Sequence, residues 1–162
     1  AQHGQVLGRP RVYPACGDGP VAMAPSNLPV EGSCLCKAVK YRITGEPMGF
    51  QYCHCSRCRK FTGAAHAANV FVATDSFTWL TGKDSVGTFR LEADPPFATA
   101  FCRNCGSSLP NLSTAHKIWI VPAGLLDSDP GIKPARSIFW DSRAPWYENV
   151  GDLPQYAEWP DA

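Results

Sequence analysis

The chain is built around the stretch Cys53-His54-Cys55-Ser56-Arg57-Cys58-Arg59-Lys60, which places three thiols close together. Two smaller motifs accompany it: Cys34-Leu35-Cys36 upstream and Cys102-Arg103-Asn104-Cys105-Gly106 downstream. Together the three stretches hold seven of the eight cysteines. Four ligands complete a tetrahedral metal site, whereas three leave a position open for chemistry. We therefore predict one closed site with four cysteines and one open site with three.

Length and charge exclude several classes of protein. A chain of 162 residues fits one domain with a real core. Its net charge of +1, without a long run of one sign, argues against nucleic acid or an anionic membrane as a partner. No apolar stretch reaches the roughly 18 residues of a membrane span. The N-terminus lacks a basic segment followed by an apolar core, so we expect no signal peptide.

The cysteine spacing favours metal sites over disulfides. A chain of this length does not need disulfides to compensate for a small core. Tight CxC, CxCxxC and CxxC clusters bring several thiolates to one point, as a metal requires. We therefore expect a reducing, cytoplasmic location. The eighth cysteine, Cys16, lies in the Pro- and Gly-rich residues 1–29, which we interpret as an irregular extension. Cys16 is read as a free thiol, with an eighth ligand as the alternative.

The remainder of the chain, residues 30–162, reads as a mainly β domain. From Ala38 to Thr44 apolar and polar residues alternate, as in a half-buried strand. Only residues 61–68 and 123–126 could form a helical turn or two. Short, regularly spaced strands with little helix indicate an antiparallel domain. Further strands are predicted around residues 69–73, 77–80, 86–91, 97–101, 118–121 and 137–140.

The four-cysteine site is predicted to be structural. Cys102 and Cys105 form a zinc knuckle, in which Gly106 permits the tight turn that follows. The knuckle needs two more ligands, and Cys34 and Cys36 are the natural complement. A closed site of this kind would connect distant segments and stabilise the fold.

Cys53, Cys55 and Cys58 remain as the open site, where a zinc ion would keep a vacancy for water or substrate. The interleaved Arg57, Arg59 and Lys60 are candidates to hold the thiolates deprotonated and to bind an anionic substrate, or else are simply solvated. His54 lies between two ligands and is expected to pack or hydrogen-bond, with metal ligation as the alternative. His66 and His116 stand alone in the sequence and are interpreted as structural.

Taken together, these motifs resemble the glutathione-dependent formaldehyde-activating family, also called the GFA/CENP-V domain. The resemblance covers about residues 30–147 and has one departure: Lys37 stands where a Gly commonly follows the second cysteine. It is carried by these segments in order: Gly32-Ser33-Cys34-Leu35-Cys36, Val39-x-Tyr41, Cys53 to Lys60, Phe101 to Ser107, and Ser142-Arg143-Ala144-Pro145-Trp146.

The resemblance implies an Mss4-like (β-tent) fold, with residues 30–162 as one zinc-binding domain. It also implies a reaction: glutathione joins formaldehyde to give S-hydroxymethylglutathione, a carbon–sulfur lyase activity with glutathione as co-substrate. It assigns Cys34, Cys36, Cys102 and Cys105 to a structural zinc, and Cys53, Cys55 and Cys58 to a reactive one.

The leading hypothesis is accordingly a zinc-dependent carbon–sulfur lyase whose partners are a small thiol and an aldehyde. Two alternatives stay open, a zinc hydrolase of small esters or thioesters and a non-catalytic zinc-binding or chaperone-like module. Phe50, Phe61 and Trp146 are candidate pocket walls. A homo-oligomer is not excluded by the sequence.

Overall fold

The computed structural model describes residues 27–93, 96–147, 151 and 153–159. Cys16 and most of the predicted N-terminal extension (residues 1–29) lie outside the described residues. Eleven strands and one short α-helix form the described part of the chain. The strands are β1 Val30–Ser33, β2 Lys40–Ile43, β3 Gly49–Cys53, β4 Ala67–Ala73, β5 Phe77–Thr81, β6 Val86–Leu91, β7 Phe97–Cys102, β8 Ser108–Leu109, β9 Asn111–Ser113, β10 Ile118–Pro122 and β11 Arg136–Ile138; the helix, α1, is Ser56–Thr62.

These strands form three sheets, with orders β1-β2-β5, β11-β3-β4-β10-β9 and β6-β7-β8. Every pairing is antiparallel except that of β11 with β3, which is parallel. The prediction of a mainly β, antiparallel domain is therefore confirmed. No helix in the described part of the chain has the length and apolar character needed to cross a membrane.

Strand β2 and the residue before it show the predicted alternation of buried and exposed side chains. Val39, Tyr41 and Ile43 are at most 1% exposed, while Lys40 and Arg42 on the opposite face are exposed. Because successive side chains of a strand point to opposite faces, this alternation buries one whole row. That row contributes to two buried clusters: Tyr41, Ile43, Val70, Val72, Phe77 and Val121 form one, and Cys34, Val39, Ala100, Cys102 and Leu109 form the other.

The predicted helical turn at residues 61–68 is wrong. The helix begins at Ser56, inside the cysteine stretch, and residues from Ala67 onward belong to β4. Cys55 caps its N-terminus, and Gly63 ends it in the left-handed conformation with φ 64°. The other helical turn exists as a 3₁₀ turn, Ala123–Leu125. Strand β11 ends earlier than expected, because residues 140–142 form a 3₁₀ turn.

Candidate functional site

Seven cysteines form two separate groups in the described residues. Within each group the sulfur atoms lie within 4.8 Å of one another, and every one of these cysteines is a free thiol. The structure thus brings together the same sets of four and three cysteines that the spacing grouped. We call them the quartet, which is Cys34, Cys36, Cys102 and Cys105, and the trio, which is Cys53, Cys55 and Cys58.

The quartet has the dimensions of a metal site. The Sγ atoms of Cys34 and Cys36 are 3.5 Å apart, and those of Cys36 and Cys102 are 3.9 Å apart. Four thiolates bound tetrahedrally at about 2.3 Å would lie roughly 3.8 Å apart. Cys34 and Cys102 are buried, which shields two of the four ligands from solvent. The four sulfurs therefore fit a metal ion whose coordination they complete.

Two tight turns, one after each pair of cysteines, position the sulfurs of the quartet. Gly106 has φ 75° and donates its N–H to the carbonyl of Cys102 at 2.9 Å. Lys37 takes the corresponding place after Cys36, with φ 59°, and donates its N–H to the carbonyl of Cys34 at 2.8 Å. Lys37 thus adopts the left-handed conformation, and the turn is formed. Backbone N–H groups also support the sulfurs, since Val39 N donates to Cys34 Sγ at 3.3 Å.

The trio lies where β3 meets α1. Cys53 is the last residue of β3, Cys55 is the N-cap of α1, and Cys58 lies in the first turn. The N–H of Cys58 donates to Cys55 Sγ at 3.4 Å. A strand end and a helix start thereby converge on one point. Three sulfurs within bonding range of one ion, with no fourth ligand from the described residues, fit an open metal site.

The protonation of the trio indicates that it needs a cation. Its hydrogen bond with Cys58 lowers the pKa of Cys53 to about 6. The same hydrogen bond, with burial, raises the pKa of Cys58 well above its ordinary value. Without an ion, one thiol therefore holds its proton beside the thiolate of its neighbour. A positive ion bound between Cys53 and Cys58 would favour ionisation of both.

His54 is not among the residues whose ligand atoms converge in the trio, and its ring packs into an aromatic cluster. Its side chain is 0% exposed, and its ring lies 5.0 Å from those of both His66 and Trp140 and 5.2 Å from that of Tyr147. Burial lowers the pKa of both histidines, so both are neutral. His66 does not stand alone, since it also lies 4.3 Å from the Tyr52 ring. The cluster connects β3 to the segment after β11.

The basic residues of the stretch occupy different places around α1. Arg59 donates its Nε–H to the carbonyl of His54 at 3.2 Å. Lys60 is exposed, and Arg57 is half-buried. Arg59 and Lys60 lie in the last turn of α1, where positive charge favours the helix dipole. An anion-binding role for these three residues stays a prediction.

A cavity of about 420 Å³ adjoins the trio through Cys58. Sequence reasoning missed it, because its walls come from segments that are distant along the chain: Cys58, Phe61 and Thr62 of α1, His66, residues 67–69, 97–99, 107–109 and 124–125, and Asn111, Ile120 and Pro122. None of these described lining residues is an Asp, Glu, Lys or Arg. Of the predicted pocket walls, Phe61 lines the cavity, Phe50 packs against the first buried cluster, and Trp146 is 65% exposed.

Comparison with known proteins agrees with this arrangement. The family model for the glutathione-dependent formaldehyde-activating enzyme matches residues 29–142. A protein of Halomonas elongata, named "Putative glutathione-dependent formaldehyde-activating enzyme", is 30% identical over 126 residues, which cover 74% of this chain and 80% of that protein. An uncharacterized lyase of Schizosaccharomyces pombe is 34% identical over 80 residues, 49% of this chain and 54% of that protein.

The fold also recurs in a solved structure. The crystal structure of a Rhodobacter sphaeroides protein superposes with a TM-score of 0.51 at 20% identity and covers 66% of this chain and 98% of its own. That likeness concerns the fold, whereas the family match spans most of the chain and all seven grouped cysteines. The chain belongs to the glutathione-dependent formaldehyde-activating family.

Proposed function

We propose that this protein is a zinc-dependent carbon–sulfur lyase that forms and cleaves an adduct between a thiol and an aldehyde. Glutathione and formaldehyde, named by the family, are the reference pair. The observation that carries the proposal is the trio: three convergent sulfurs, with no fourth ligand among the described residues, beside a cavity that Cys58 helps to line. The all-cysteine donor sets suit zinc at both sites.

Cys53, Cys55 and Cys58 would hold the reactive zinc, and the quartet would hold a structural one. When bound in the trio, zinc supplies a Lewis acid that favours the thiolate form of a substrate thiol. The cavity, whose described walls carry no ionic side chain, would receive the aldehyde. Arg57, Arg59 and Lys60 are proposed to attract the carboxylates of a glutathione-like thiol from the outer side of α1.

Two further features are proposed on the same basis. Free thiols at all seven described cysteines support the prediction of a reducing, cytoplasmic location. A non-catalytic scaffold would share the quartet, but a trio with no fourth ligand among the described residues, beside a cavity of about 420 Å³, favours turnover of a small molecule. A hydrolase would share both sites, and the thiol dependence of the reaction separates it from the lyase.

The test is adduct formation from glutathione and formaldehyde by the zinc-loaded protein, measured above the uncatalysed rate. Cys55→Ser is the informative variant, because serine keeps an N-cap oxygen for α1 while removing one thiolate. We expect its rate to fall at least a hundredfold, with little change in the melting temperature of the metal-free protein. Equal rates for Cys55→Ser and the parent protein would contradict the mechanism. Ester hydrolysis without any thiol dependence would favour the hydrolase instead.

A further inference from the structure

We propose that the cavity beside the trio binds the aldehyde-derived half of the adduct, and that this half is uncharged, mainly apolar and larger than formaldehyde. The inference rests on the proposed function and narrows its substrate class. It follows from the charge, the size and the orientation of the cavity.

The lack of ionic side chains in the described walls of the cavity favours a neutral group. Its described walls carry no ionic side chain, and His66, which is part of them, is held neutral by burial. A carboxylate placed there would lose its hydration without gaining a cationic partner, which is costly. Asn111 is already engaged, since its Nδ2 donates to the carbonyl of Ala98 at 3.2 Å. Asn69 offers a carboxamide that suits the hydroxyl of a thiol–aldehyde adduct.

The size of the cavity exceeds what formaldehyde needs. Formaldehyde has two heavy atoms and fills roughly 60 Å³, twice the share of a water molecule. The cavity measures about 420 Å³, within the range of small-molecule sites. Most of this volume would stay empty or hydrated around formaldehyde. Phe61, Phe97 and Leu125 in the wall would instead bury a hydrocarbon chain.

Helix α1 has uncharged side chains toward the cavity and an exposed lysine on its opposite side. Cys58, Phe61 and Thr62 face the cavity. Lys60 follows Cys58 by two residues, about 200° around the helix, and is exposed on the opposite side. A thiol that carries carboxylates is therefore best placed with its charges toward solvent and the basic residues. The aldehyde-derived group then faces the cavity.

The chemistry balances without a further reactant. A bond forms between the thiol sulfur and the carbonyl carbon, and the π electron pair of the carbonyl moves to its oxygen. That oxygen takes up the proton that the thiol released. Cleavage runs through the same changes in reverse.

Binding of inert thioether analogues tests the inference without turnover. S-methylglutathione stands for formaldehyde, and S-(4-methylpentyl)glutathione and S-(3-carboxypropyl)glutathione form an isosteric neutral and anionic pair. By calorimetry on the zinc-loaded protein, we expect the 4-methylpentyl analogue to bind at least tenfold more tightly than both others, since each buried methylene adds about fourfold. Equal affinity for the methyl and 4-methylpentyl analogues, an anionic analogue that binds as tightly as its isostere, or no binding at all would overturn the inference.

A pair of matched variants locates the effect in the cavity. Asn69→Asp introduces a negative charge into the wall and should weaken binding of the 4-methylpentyl analogue at least fivefold. Gln155→Glu makes the same chemical change at an exposed residue outside the cavity and should leave binding unchanged. Equal effects of both variants would place the ligand elsewhere.

Turnover separates the two proposals. If the analogues rank as expected but the protein accelerates no thiol addition to formaldehyde or 4-methylpentanal, the cavity assignment stands and the lyase proposal fails. If formaldehyde is turned over but the ranking of the analogues is reversed, the lyase proposal stands and the cavity assignment fails.

Discussion

The backbone N–H of Cys58 donates to the sulfur of Cys55 at 3.4 Å, so the residue that caps helix α1 is also a member of the trio. The hydrogen bond that begins helix α1 therefore also holds Cys55 and Cys58 of the trio close together. An N-cap acceptor satisfies a donor that would otherwise have no partner in the first turn.

The double role of Cys55 gives a prediction that separates folding from metal binding. Cys55→Ser should leave the free energy of unfolding of the metal-free protein nearly unchanged, whereas Cys55→Ala should lower it by about 1 kcal/mol through loss of the cap. Both variants should lose zinc from the trio. Denaturant unfolding and metal analysis check this pair, and identical unfolding free energies for Ser and Ala would contradict the capping role.

The two left-handed turns of the quartet predict opposite changes in stability. Lys37→Gly removes a side chain from a position with φ 59°, which should stabilise the protein by up to about 1 kcal/mol. Gly106→Ala adds one at φ 75° and should destabilise it by about 1–2 kcal/mol. No atom lies within 4 Å of the added Cβ at Gly106, so the cost is one of backbone conformation alone. Thermal unfolding of both variants measures the difference, and a destabilised Lys37→Gly would refute the explanation.

The quartet and the trio should differ in how they release zinc. We expect two zinc ions per chain, of which a chelator removes the trio's ion rapidly and the quartet's only slowly, because four thiolates would hold the quartet's ion and three the trio's. Cys36→Ser should lower the free energy of unfolding by on the order of 3 kcal/mol, since a structural zinc contributes directly to folding. Release of both ions at one rate would argue that the sites are equivalent.

Zinc binding to the trio should release protons and weaken as pH falls. In the metal-free protein at pH 7.5 the pKa of Cys53, about 6, leaves it ionised, whereas the raised pKa of Cys58 keeps that thiol protonated. Zinc must displace at least the Cys58 proton, so its apparent affinity should fall about tenfold or more per pH unit. Below pH 6 Cys53 also binds a proton, and the dependence should steepen.

Calorimetric titration of zinc in two buffers of different ionisation enthalpy counts the protons directly. The Cys58→Ser variant is the control, because it keeps the quartet but lacks one ligand of the trio, so the protons that it releases come from zinc binding at the quartet. A pH-independent affinity between pH 6 and 7.5 would show that Cys58 is not protonated in the metal-free protein.

Much of the fold could be predicted from the sequence where one face of a strand is buried. The alternation of Val39, Tyr41 and Ile43 matched their burial. The strand at residues 86–91 was also predicted with its observed bounds, although most of its residues are exposed. Strand β3 was missed because its residues are nearly all half-buried, which leaves no alternation. The start of α1 was missed because a cysteine caps it, although Gly63 marked its end.

The two cysteine groups could be predicted because spacing along the chain limits where thiols can meet. The cavity could not, because Asn69, Phe97, Asn111 and Leu125 come from different segments and carry no shared motif. For the same reason, the sequence does not show that the described walls carry no charged side chain, since that depends on which segments pack together. The sequence suggested Arg57, Arg59 and Lys60 as substrate-binding residues only because they lie next to the trio along the chain.

Ser107 connects the two halves of the site. Its hydroxyl accepts the N–H of Leu35 at 3.0 Å and lies 3.3 Å from Cys105 Sγ, and the same residue lines the cavity that Cys58 borders. The wall that would contact substrate is thus hydrogen-bonded to the quartet, the group to which we assign a structural rather than a catalytic role. A variant that lost metal only from the quartet, such as Cys36→Ser, would then alter which substrates the protein accepts while the trio was still loaded.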